Sequence, residues 1–225
     1  MQEVNRNALI GLIRLMLVLP VLVFLPAWTL RYWQAWTCLG VFFLCAILIT
    51  ADLMKTNPDL LARRMKAGPR AEAQKSQKVI QALAAAAFVA IFVVSALDHR
   101  FGWSRVFVAV EIVGDALIIA GFAFVHWVFK ANSFTSGVIE VAADQQVITT
   151  GPYAIVRHPM YLGSLIMLLG IPLGLGSWWG LWTIVSIAAV IVLRLLDEEK
   201  FLARNLAGYS DYTRKNPHRL IPLIW

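Results

Sequence analysis

The stretch GPYAIVRHPMYLGSLIMLLGIPLG, residues 151–174, passes from a polar segment directly into an apolar run. A residue that precedes proline is disfavoured in helical geometry, and proline itself suits the first position of a helix. The sequence therefore predicts that His158 is non-helical and that a helix begins at Pro159. Because Gly170, Pro172 and Gly174 interrupt the end of the run, we expect this helix to be short and to turn tightly into the next one.

Composition places the whole chain among membrane proteins. Of its 225 residues, 60% are hydrophobic and only 15% are charged, a balance that is rare in soluble domains. A transmembrane helix needs roughly 20 apolar residues. We predict an all-α, polytopic membrane bundle of about six transmembrane helices, at roughly 8–27, 34–53, 79–97, 106–129, 159–175 and 178–196. The first run lacks a small-residue cleavage site, so it is predicted to be retained as a helix.

The chain is predicted to form a single membrane domain over residues 1–225, because it has no internal repeat and no long linker. Residues 1–129 make an N-terminal part with four spans. Residues 130–225 contain a predicted helical hairpin, made by the last two spans, and a C-terminal tail. Cys38 and Cys45 lie about 10 Å apart along one predicted helix, too far for a disulfide. Since no Cys or His spacing is typical of a metal site, no metal ligand is predicted.

The formal charge of +7 is explained by membrane topology. Positive residues cluster between the second and third spans and after the sixth, whereas Arg31, Arg100 and Arg105 fall in the connections on the opposite side. This asymmetry follows the positive-inside rule. It predicts that both termini, the 54–78 loop and the 130–158 loop are cytoplasmic, with contact to anionic lipid as an addition. No nucleic-acid partner is expected.

The polar approach to the helix at Pro159 is a candidate binding site. The first turn of a helix presents unpaired N–H groups and the positive end of the helix dipole, which suit a carboxylate or phosphate. Arg157 and His158 flank this turn, and Tyr153 and Tyr161 supply aromatic faces and hydroxyls. The alternative is that these side chains only anchor the helix at the membrane interface.

A second polar cluster follows the sixth span, in RLLDEEKFLARNLAGYSDY, residues 194–212. Arg194 and Glu198 are four residues apart and share a helix face, with Glu199 beside them. Gly208 is predicted to end this helix, so that the tyrosines beyond it fold back. The alternative is an exposed ion pair of a few tenths of a kcal/mol. Because a hairpin places the start of the fifth span near the end of the sixth, we predict that both clusters line one cytoplasmic pocket.

The fourth predicted span carries an ionisable stripe. Helical spacing places Glu111, Asp115 and His126 on one side of it. Ionisable groups within a membrane are candidates for function, whereas a neutral Asp115 hydrogen-bonded to a neighbouring helix is the structural alternative. The sequence assigns these residues no role.

The C-terminal part, about residues 130–225, resembles the isoprenylcysteine carboxyl methyltransferase family of integral membrane enzymes. The resemblance rests on TTGPYAIVRHPMYLG, on the Arg-x-x-x-Glu-Glu-x-x-Leu pattern at 194–202, on the tyrosine pair at 209 and 212, and on the closing HRLIP. The segment NPDLLARRM, residues 57–65, is also similar to bacterial relatives, without a chemical role. The resemblance implies an integral protein of a bacterial inner membrane.

The resemblance also implies a cofactor and its contacts. S-adenosylmethionine would be held by Tyr153, His158, Pro159, Met160, Tyr161 and Glu198, and Arg194 would face the carboxylate of the substrate. Further implied contacts are Glu140, Gln145, Gln146, Val147, Ile148, Arg157 and Glu199. At two of them, Gln145 and Gln146, the sequence departs from the eukaryotic His-Thr pattern.

Three functions remain open from the sequence. The first is a membrane methyltransferase acting on a lipophilic or lipidated acceptor, with a carboxylate favoured because of Arg194 and a phospholipid amine as the alternative. A carboxylate needs no general base, whereas an amine must lose a proton. The second is a membrane sterol or steroid reductase with a nicotinamide cofactor. The third is a non-enzymatic protein that binds lipids.

Overall fold

The computed structural model describes residues 2–72, 74–142 and 144–225. Within these residues it is entirely helical and contains no strand, as the sequence predicts. The elements are α1 (Gln2–Ala27), α2 (Trp33–Thr56), α3 (Pro58–Met65), α4 (Lys75–Phe101), α5 (Val108–Ala131), a 3₁₀ turn (Gly151–Ala154), α6 (Pro159–Gly174), α7 (Gly180–Asn205) and α8 (Tyr209–Lys215).

Five helices are long and apolar enough to cross a membrane, namely α1, α2, α4, α5 and α7. The chain therefore has the helices of an integral membrane protein. The remaining predicted span corresponds to α6, which is apolar but has 16 residues. At 1.5 Å per residue it reaches about 24 Å, less than the roughly 30 Å of a hydrocarbon core. The count of six spans therefore stays a prediction.

The start of α6 is the one that the sequence predicts. His158 has φ −121° and ψ 60°, outside helical geometry, and Pro159 is the first helical residue. The predicted end of the following helix is wrong, because α7 stops at Asn205 and the chain becomes extended at Leu206. Gly208, with φ +82°, instead turns the chain into α8, a conformation that glycine adopts without steric cost.

Helix α6 packs most extensively against α5. The contact is made by glycines spaced by seven residues on both helices, so the two backbones approach closely. A side chain at Gly114 would place its Cβ 2.7 Å from the carbonyl carbon of Leu173, and one at Gly121 would come 2.7 Å from the Cα of Met167. Such small-residue faces are typical of helix pairs in membranes. The predicted hairpin is thus only part of the arrangement, since α6 is joined to α7 by a short turn but lies mainly on α5.

A buried carboxylate holds the turn between α6 and α7. Asp98, at the end of α4, accepts hydrogen bonds from Ser104 Oγ and Ser177 Oγ, both at 2.6 Å, and from the Ser104 N–H at 2.7 Å. Its side chain is 1% exposed. Because its acceptor oxygens are used, Asp98 is satisfied as a structural tie between α4 and the turn.

The opposite end of the bundle collects the polar connections. Helix α3 folds against the ends of α2 and α5, where Leu60 and Leu61 pack with Leu53 and Phe129. The chain order puts both termini, the α2–α4 connection and the α5–α6 connection at this end. It is the end that the positive-inside pattern predicts to be cytoplasmic.

The close approach of α5 and α6 is tested by Gly114→Ala. We expect a loss of about 1–3 kcal/mol of stability, because the added methyl group meets backbone atoms that have little room to move. Gly40→Ala is the matched control, since a Cβ there meets nothing within 4 Å and alanine favours a helix by roughly 0.5–1 kcal/mol. Thermal unfolding in one detergent measures both. If Gly114→Ala is as stable as Gly40→Ala, the two helices are not in close contact.

Candidate functional site

A cavity of about 370 Å³ lies at the polar end of the bundle. Ligand pockets have volumes of roughly 300–1,000 Å³. The start of α6, the end of α7, α8 and the 132–148 segment form most of its wall. All but one of the predicted site residues line it: Glu140, Gln145, Gln146, Val147, Ile148, Tyr153, Arg157, His158, Pro159, Met160, Tyr161, Arg194 and Glu198. The two predicted clusters therefore meet in one place.

Tyr161 connects the two helices that carry these clusters. Its hydroxyl donates to Glu198 Oε2 at 2.5 Å and accepts from Arg194 Nε at 3.1 Å. The hydroxyl thus lies between the carboxylate and the guanidinium of α7. The alternative of an exposed Arg194–Glu198 ion pair is wrong, because no salt bridge joins these two residues and both line the cavity.

Arg194 is instead paired with a residue that the sequence did not indicate. Its Nη1 donates to Glu72 Oε1 at 2.8 Å and to Gln77 Oε1 at 3.1 Å, and Nη2 donates to the carbonyl of Gly137 at 3.1 Å. With the bond to the Tyr161 hydroxyl, four of its five N–H groups are used. The side chain that was expected to face a substrate carboxylate is already held by a protein carboxylate.

Glu72 is the acceptor behind this part of the cavity, although it does not itself line it. Its side chain is 2% exposed, and it also accepts from Gln81 Nε2 at 3.2 Å and from the Ile139 N–H at 3.4 Å. It therefore ties the α3–α4 connection to α4, α7 and the 132–148 segment. No local pattern marked this role, because Glu72 lies 122 residues from Arg194.

Glu199 lies behind the cavity wall rather than in it. Its Oε1 accepts from Arg157 Nη2 at 2.7 Å and Nε at 2.8 Å, and lies 3.3 Å from His158 Nε2. Its Oε2 accepts from Arg219 Nε at 2.9 Å. Glu199 does not line the cavity, and its expected contact with a cofactor stays a prediction. Three positive or polar partners draw its carboxylate to the other side of α7.

Arg157 lines the cavity, but its guanidinium is bonded to Glu199. Besides Glu199, its Nη1 donates to the carbonyls of Asn216 at 3.1 Å and Thr213 at 3.4 Å. Its side chain is only 6% exposed. Arg157 was expected to flank an anion at the helix start, and the structure instead uses its guanidinium to hold the C-terminal tail.

The helix start itself offers fewer free donors than expected. The N–H groups of Tyr161 and Leu162 bond to the carbonyl of His158 at 3.1 and 3.3 Å, and Pro159 has no N–H. Among the residues that the structure describes, Met160 alone in this turn keeps an N–H without a partner.

The C-terminal tail closes one side of the cavity. The Arg157 and His158 N–H groups donate to the carbonyls of His218 at 2.8 Å and Arg219 at 2.9 Å. Tyr212 Oη donates to the carbonyl of Tyr153 at 2.7 Å. The tail is thus fixed to the backbone that leads into α6, as the fold-back of the two tyrosines predicted.

Hydroxyl groups without partners point to a ligand. Tyr209 Oη and Thr135 Oγ1 are buried, line the cavity and have no hydrogen-bond partner among the described residues. Burial raises the pKa of Tyr209, and it raises the pKa of Tyr212 to about 12. Both hydroxyls are therefore protonated at neutral pH. Since buried polar groups in proteins are normally hydrogen-bonded, the Tyr209 and Thr135 hydroxyls are available to a polar ligand in the cavity.

Two of the three arginines that line the cavity form ion pairs with carboxylates. Arg157 pairs with Glu199, and Arg194 with Glu72. Within the described ranges, the carboxylate of Glu198 has no cationic partner and Arg64 has no acidic one. Arg64 lies in NPDLLARRM, a segment to which the sequence assigned no chemistry.

The ionisable stripe of α5, made by Glu111, Asp115 and His126, does not line the cavity. Glu111 Oε1 accepts from Gln34 Nε2 at 3.1 Å, Asp115 lies beside Gly174, and His126 Nε2 lies 3.8 Å from Asp52 Oδ2. The Oδ1 of Asp115 is buried without a hydrogen-bond partner in the described part of the chain. The predicted bond to a neighbouring helix is therefore not formed by this oxygen.

Part of the chain is similar to a known enzyme family. The sequence model of the phospholipid methyltransferase family matches residues 110–208. This is less than half of the chain, but it includes α5, α6, α7 and most of the cavity wall. It leaves out Arg64, Glu72 and the C-terminal tail.

Two individual proteins are also similar. The Delta(14)-sterol reductase of Mus musculus is 32% identical over 90 residues, which are 39% of this chain and 22% of that protein. The nickel-cobalt-cadmium resistance protein NccN of Alcaligenes xylosoxydans is 26% identical over 141 residues, 53% of this chain and 63% of that protein. The chain thus spans less than two thirds of either relative.

Glu199→Gln tests whether this carboxylate holds the tail. We expect a loss of about 3–5 kcal/mol of stability, because the substitution leaves a buried guanidinium without its charge partner. We also expect faster trypsin cleavage after Arg214 and Lys215. The measurements are thermal unfolding and limited proteolysis in detergent.

Asp211→Asn is the control, because its pair with Arg214 is exposed, at 77% and 81% of the two side chains. Surface pairs contribute about 0–1 kcal/mol. Equal stability and equal cleavage of the two variants would show that Glu199 does not hold the tail.

Proposed function

We propose that this protein is an S-adenosylmethionine-dependent membrane methyltransferase that modifies a lipophilic acceptor. The observation that carries the proposal is the cavity between α6 and α7, in the segment that matches the phospholipid methyltransferase family. It contains an unpaired carboxylate and unpartnered hydroxyls at the end of a bundle of apolar helices.

The residues of the cavity fit this methyl donor. Glu198 has one oxygen that is not bonded to Tyr161, and a carboxylate suits an ammonium group or ribose hydroxyls. Tyr209 and Thr135 supply the hydroxyls that need partners. When bound, S-adenosylmethionine supplies a methyl group on a cationic sulfur, which aromatic faces such as that of Tyr153 stabilise.

The contribution of the protein is alignment and exclusion of water. Tyr161 fixes the position of the Glu198 carboxylate, and the tail bound to Tyr153 covers the cavity. Methyl transfer is an in-line displacement, and precise placement of the reacting groups supplies much of the acceleration of such reactions.

Apolar residues of the cavity wall suit a lipid chain. Ala84 of α4 and Ile187 and Ile191 of α7 line the cavity. These residues lie within helices that are long enough to cross a membrane. An acceptor with a hydrocarbon chain can therefore place its polar end near Arg194 while the chain lies among the helices.

The pairing of Arg194 favours an amine over a carboxylate as the acceptor group. A carboxylate would have to displace Glu72 from Arg194, and breaking a buried pair costs about 3–5 kcal/mol. Because Glu72 already neutralises the guanidinium, an amine that has first lost its proton to water meets no unpaired charge at this position. The phospholipid methyltransferase match supports the same choice.

A nicotinamide-dependent reductase is the second candidate, favoured by the similarity to the sterol reductase. A phosphorylated dinucleotide carries several negative charges and needs several cations. Of the arginines that line the cavity, Arg157 and Arg194 are already paired with carboxylates. The cavity therefore matches a donor with one carboxylate better than a dinucleotide.

Donor binding distinguishes the two candidates. We expect S-adenosylhomocysteine, and not NADPH, to raise the unfolding temperature of the purified protein. Glu198→Gln should weaken the binding of S-adenosylhomocysteine at least tenfold, because it removes the unpaired charge, whereas the exposed Glu3→Gln should not. Stabilisation by NADPH alone would favour the reductase, and stabilisation by neither would favour a lipid-binding protein.

The chemistry of the product distinguishes the acceptor groups. We expect that radiolabelled methyl groups transferred to a total membrane lipid extract survive mild alkaline hydrolysis, because N-methyl groups are stable to base. A synthetic fatty acid methyl ester serves as the control for complete hydrolysis. Release of labelled methanol would show a carboxylate acceptor and would return Arg194 to the role of orienting it.

A further inference from the structure

We infer that Arg64 binds the carboxylate of the methyl donor, opposite Glu198, so that the two side chains recognise its zwitterionic amino-acid group. The inference rests on the proposed function. It concerns a residue outside the segment that matches the family, and one to which no motif assigns chemistry.

The guanidinium of Arg64 is placed by contacts that leave its charge unmatched. It lies 5.6 Å from the centroid of the Phe129 ring, and Nη1 donates to the carbonyl of Ser136. An aromatic ring and a carbonyl hold the plane of a guanidinium without neutralising it. Since arginine has five N–H donors, most of those of Arg64 remain for a ligand.

Arg64 differs in this respect from the other arginines of the cavity. Arg157 is bonded to the carboxylate of Glu199, and Arg194 to that of Glu72. Within the described residues, no carboxylate lies within salt-bridge distance of Arg64. Arg64 is partly exposed, and an anion in the cavity supplies the charge partner that its guanidinium lacks among the described residues.

The remaining free charge of the cavity is negative. Glu198 bonds only to the hydroxyl of Tyr161 among the described residues. In the described part of the chain, the unmatched charges of the cavity are therefore one guanidinium on α3 and one carboxylate on α7, and both residues line it. An α-amino acid presents an ammonium and a carboxylate on one carbon atom and matches this pair. A planar guanidinium binds a carboxylate through two parallel hydrogen bonds.

An oxyanion at Arg64 has a second possible source, the phosphate of an acceptor lipid. We assign the oxyanion to the donor because its ammonium and carboxylate share one carbon atom, whereas a phosphatidylethanolamine headgroup separates its ammonium from its phosphate by two carbon atoms. The experiment has separate arms for the two sources.

The test compares ligands that differ only in the carboxylate. Equilibrium binding of S-adenosylmethionine and of decarboxylated S-adenosylmethionine is measured by calorimetry on the full-length protein in detergent. Dihexanoylphosphatidylethanolamine is the phosphate-bearing probe. The variants are Arg64→Gln and Arg64→Lys.

Arg63→Gln is the matched control. Arg63 is the neighbour on the same helix, donates to the carbonyl of Ser133 and lies over Phe134, but does not line the cavity. It therefore has the same kinds of contact as Arg64 without access to a ligand there.

We expect wild-type protein to bind S-adenosylmethionine at least tenfold more tightly than the decarboxylated compound. Arg64→Gln should remove this preference by weakening S-adenosylmethionine alone, Arg64→Lys should restore part of it, and Arg63→Gln should retain all of it. Equal weakening of both nucleosides, or no change in either, would overturn the inference. So would a loss confined to the phosphatidylethanolamine, which would assign Arg64 to the acceptor.

Failure of the proposed function gives a different result. Wild-type protein would then bind neither nucleoside, which overturns the function and this assignment with it. If wild-type protein binds both nucleosides and Arg64→Gln does not change their ratio, the inference fails while the methyltransferase proposal stands.

Discussion

The hydroxyl of Tyr161, bonded to both Glu198 and Arg194, is the contact on which the site depends. Helix α6 lies mainly on α5 through glycines, and Glu199 joins the Arg157–His158 step to α7 from behind the cavity wall. The hydroxyl joins the two helices at the depth of the cavity. It bonds one carboxylate oxygen of Glu198, a residue that lines the cavity.

Around this contact the structure pairs most of its buried charges. Glu72 neutralises Arg194 and Glu199 neutralises Arg157, each with supporting hydrogen bonds. Charged groups in a low-dielectric interior are costly unless they are paired. The unmatched guanidinium of Arg64 and the unmatched carboxylate of Glu198 are therefore the groups at which a ligand gains most. This pattern supports a donor that carries both signs of charge.

Features of the fold that depend on residues adjacent in sequence, such as helix starts and apolar runs, were predicted. The start of α6 followed from the His158–Pro159 step, and the apolar runs located the five long helices, although α1 begins six residues before its predicted span and α7 ends nine residues after its own. The end of α7 was missed because glycine was assigned to a helix end, whereas Gly208 turns the chain into a further helix. The convergence of the two polar clusters followed from connectivity alone.

Partners distant in sequence were not predictable in this way. Helical spacing predicted that Arg194 pairs with Glu198. In the structure Arg194 pairs instead with the buried carboxylate of Glu72, which lies in a connection 122 residues away. Arg64 stands in a segment with no chemical signature, and its importance appears only when the neighbouring arginines are seen to be paired. Glu199 looked equivalent to Glu198 in the sequence, yet successive helical residues point about 100° apart.

The central claim is that the methyl donor binds in the cavity between α6 and α7. Ultraviolet crosslinking of S-adenosylmethionine with a labelled methyl group, followed by peptide mapping, tests it most directly. We expect the label in peptides from residues 132–164 or 194–212, and we expect unlabelled S-adenosylhomocysteine to reduce this labelling. Label confined to the opposite end of the bundle, in the α1–α2 or α4–α5 connections, would contradict it.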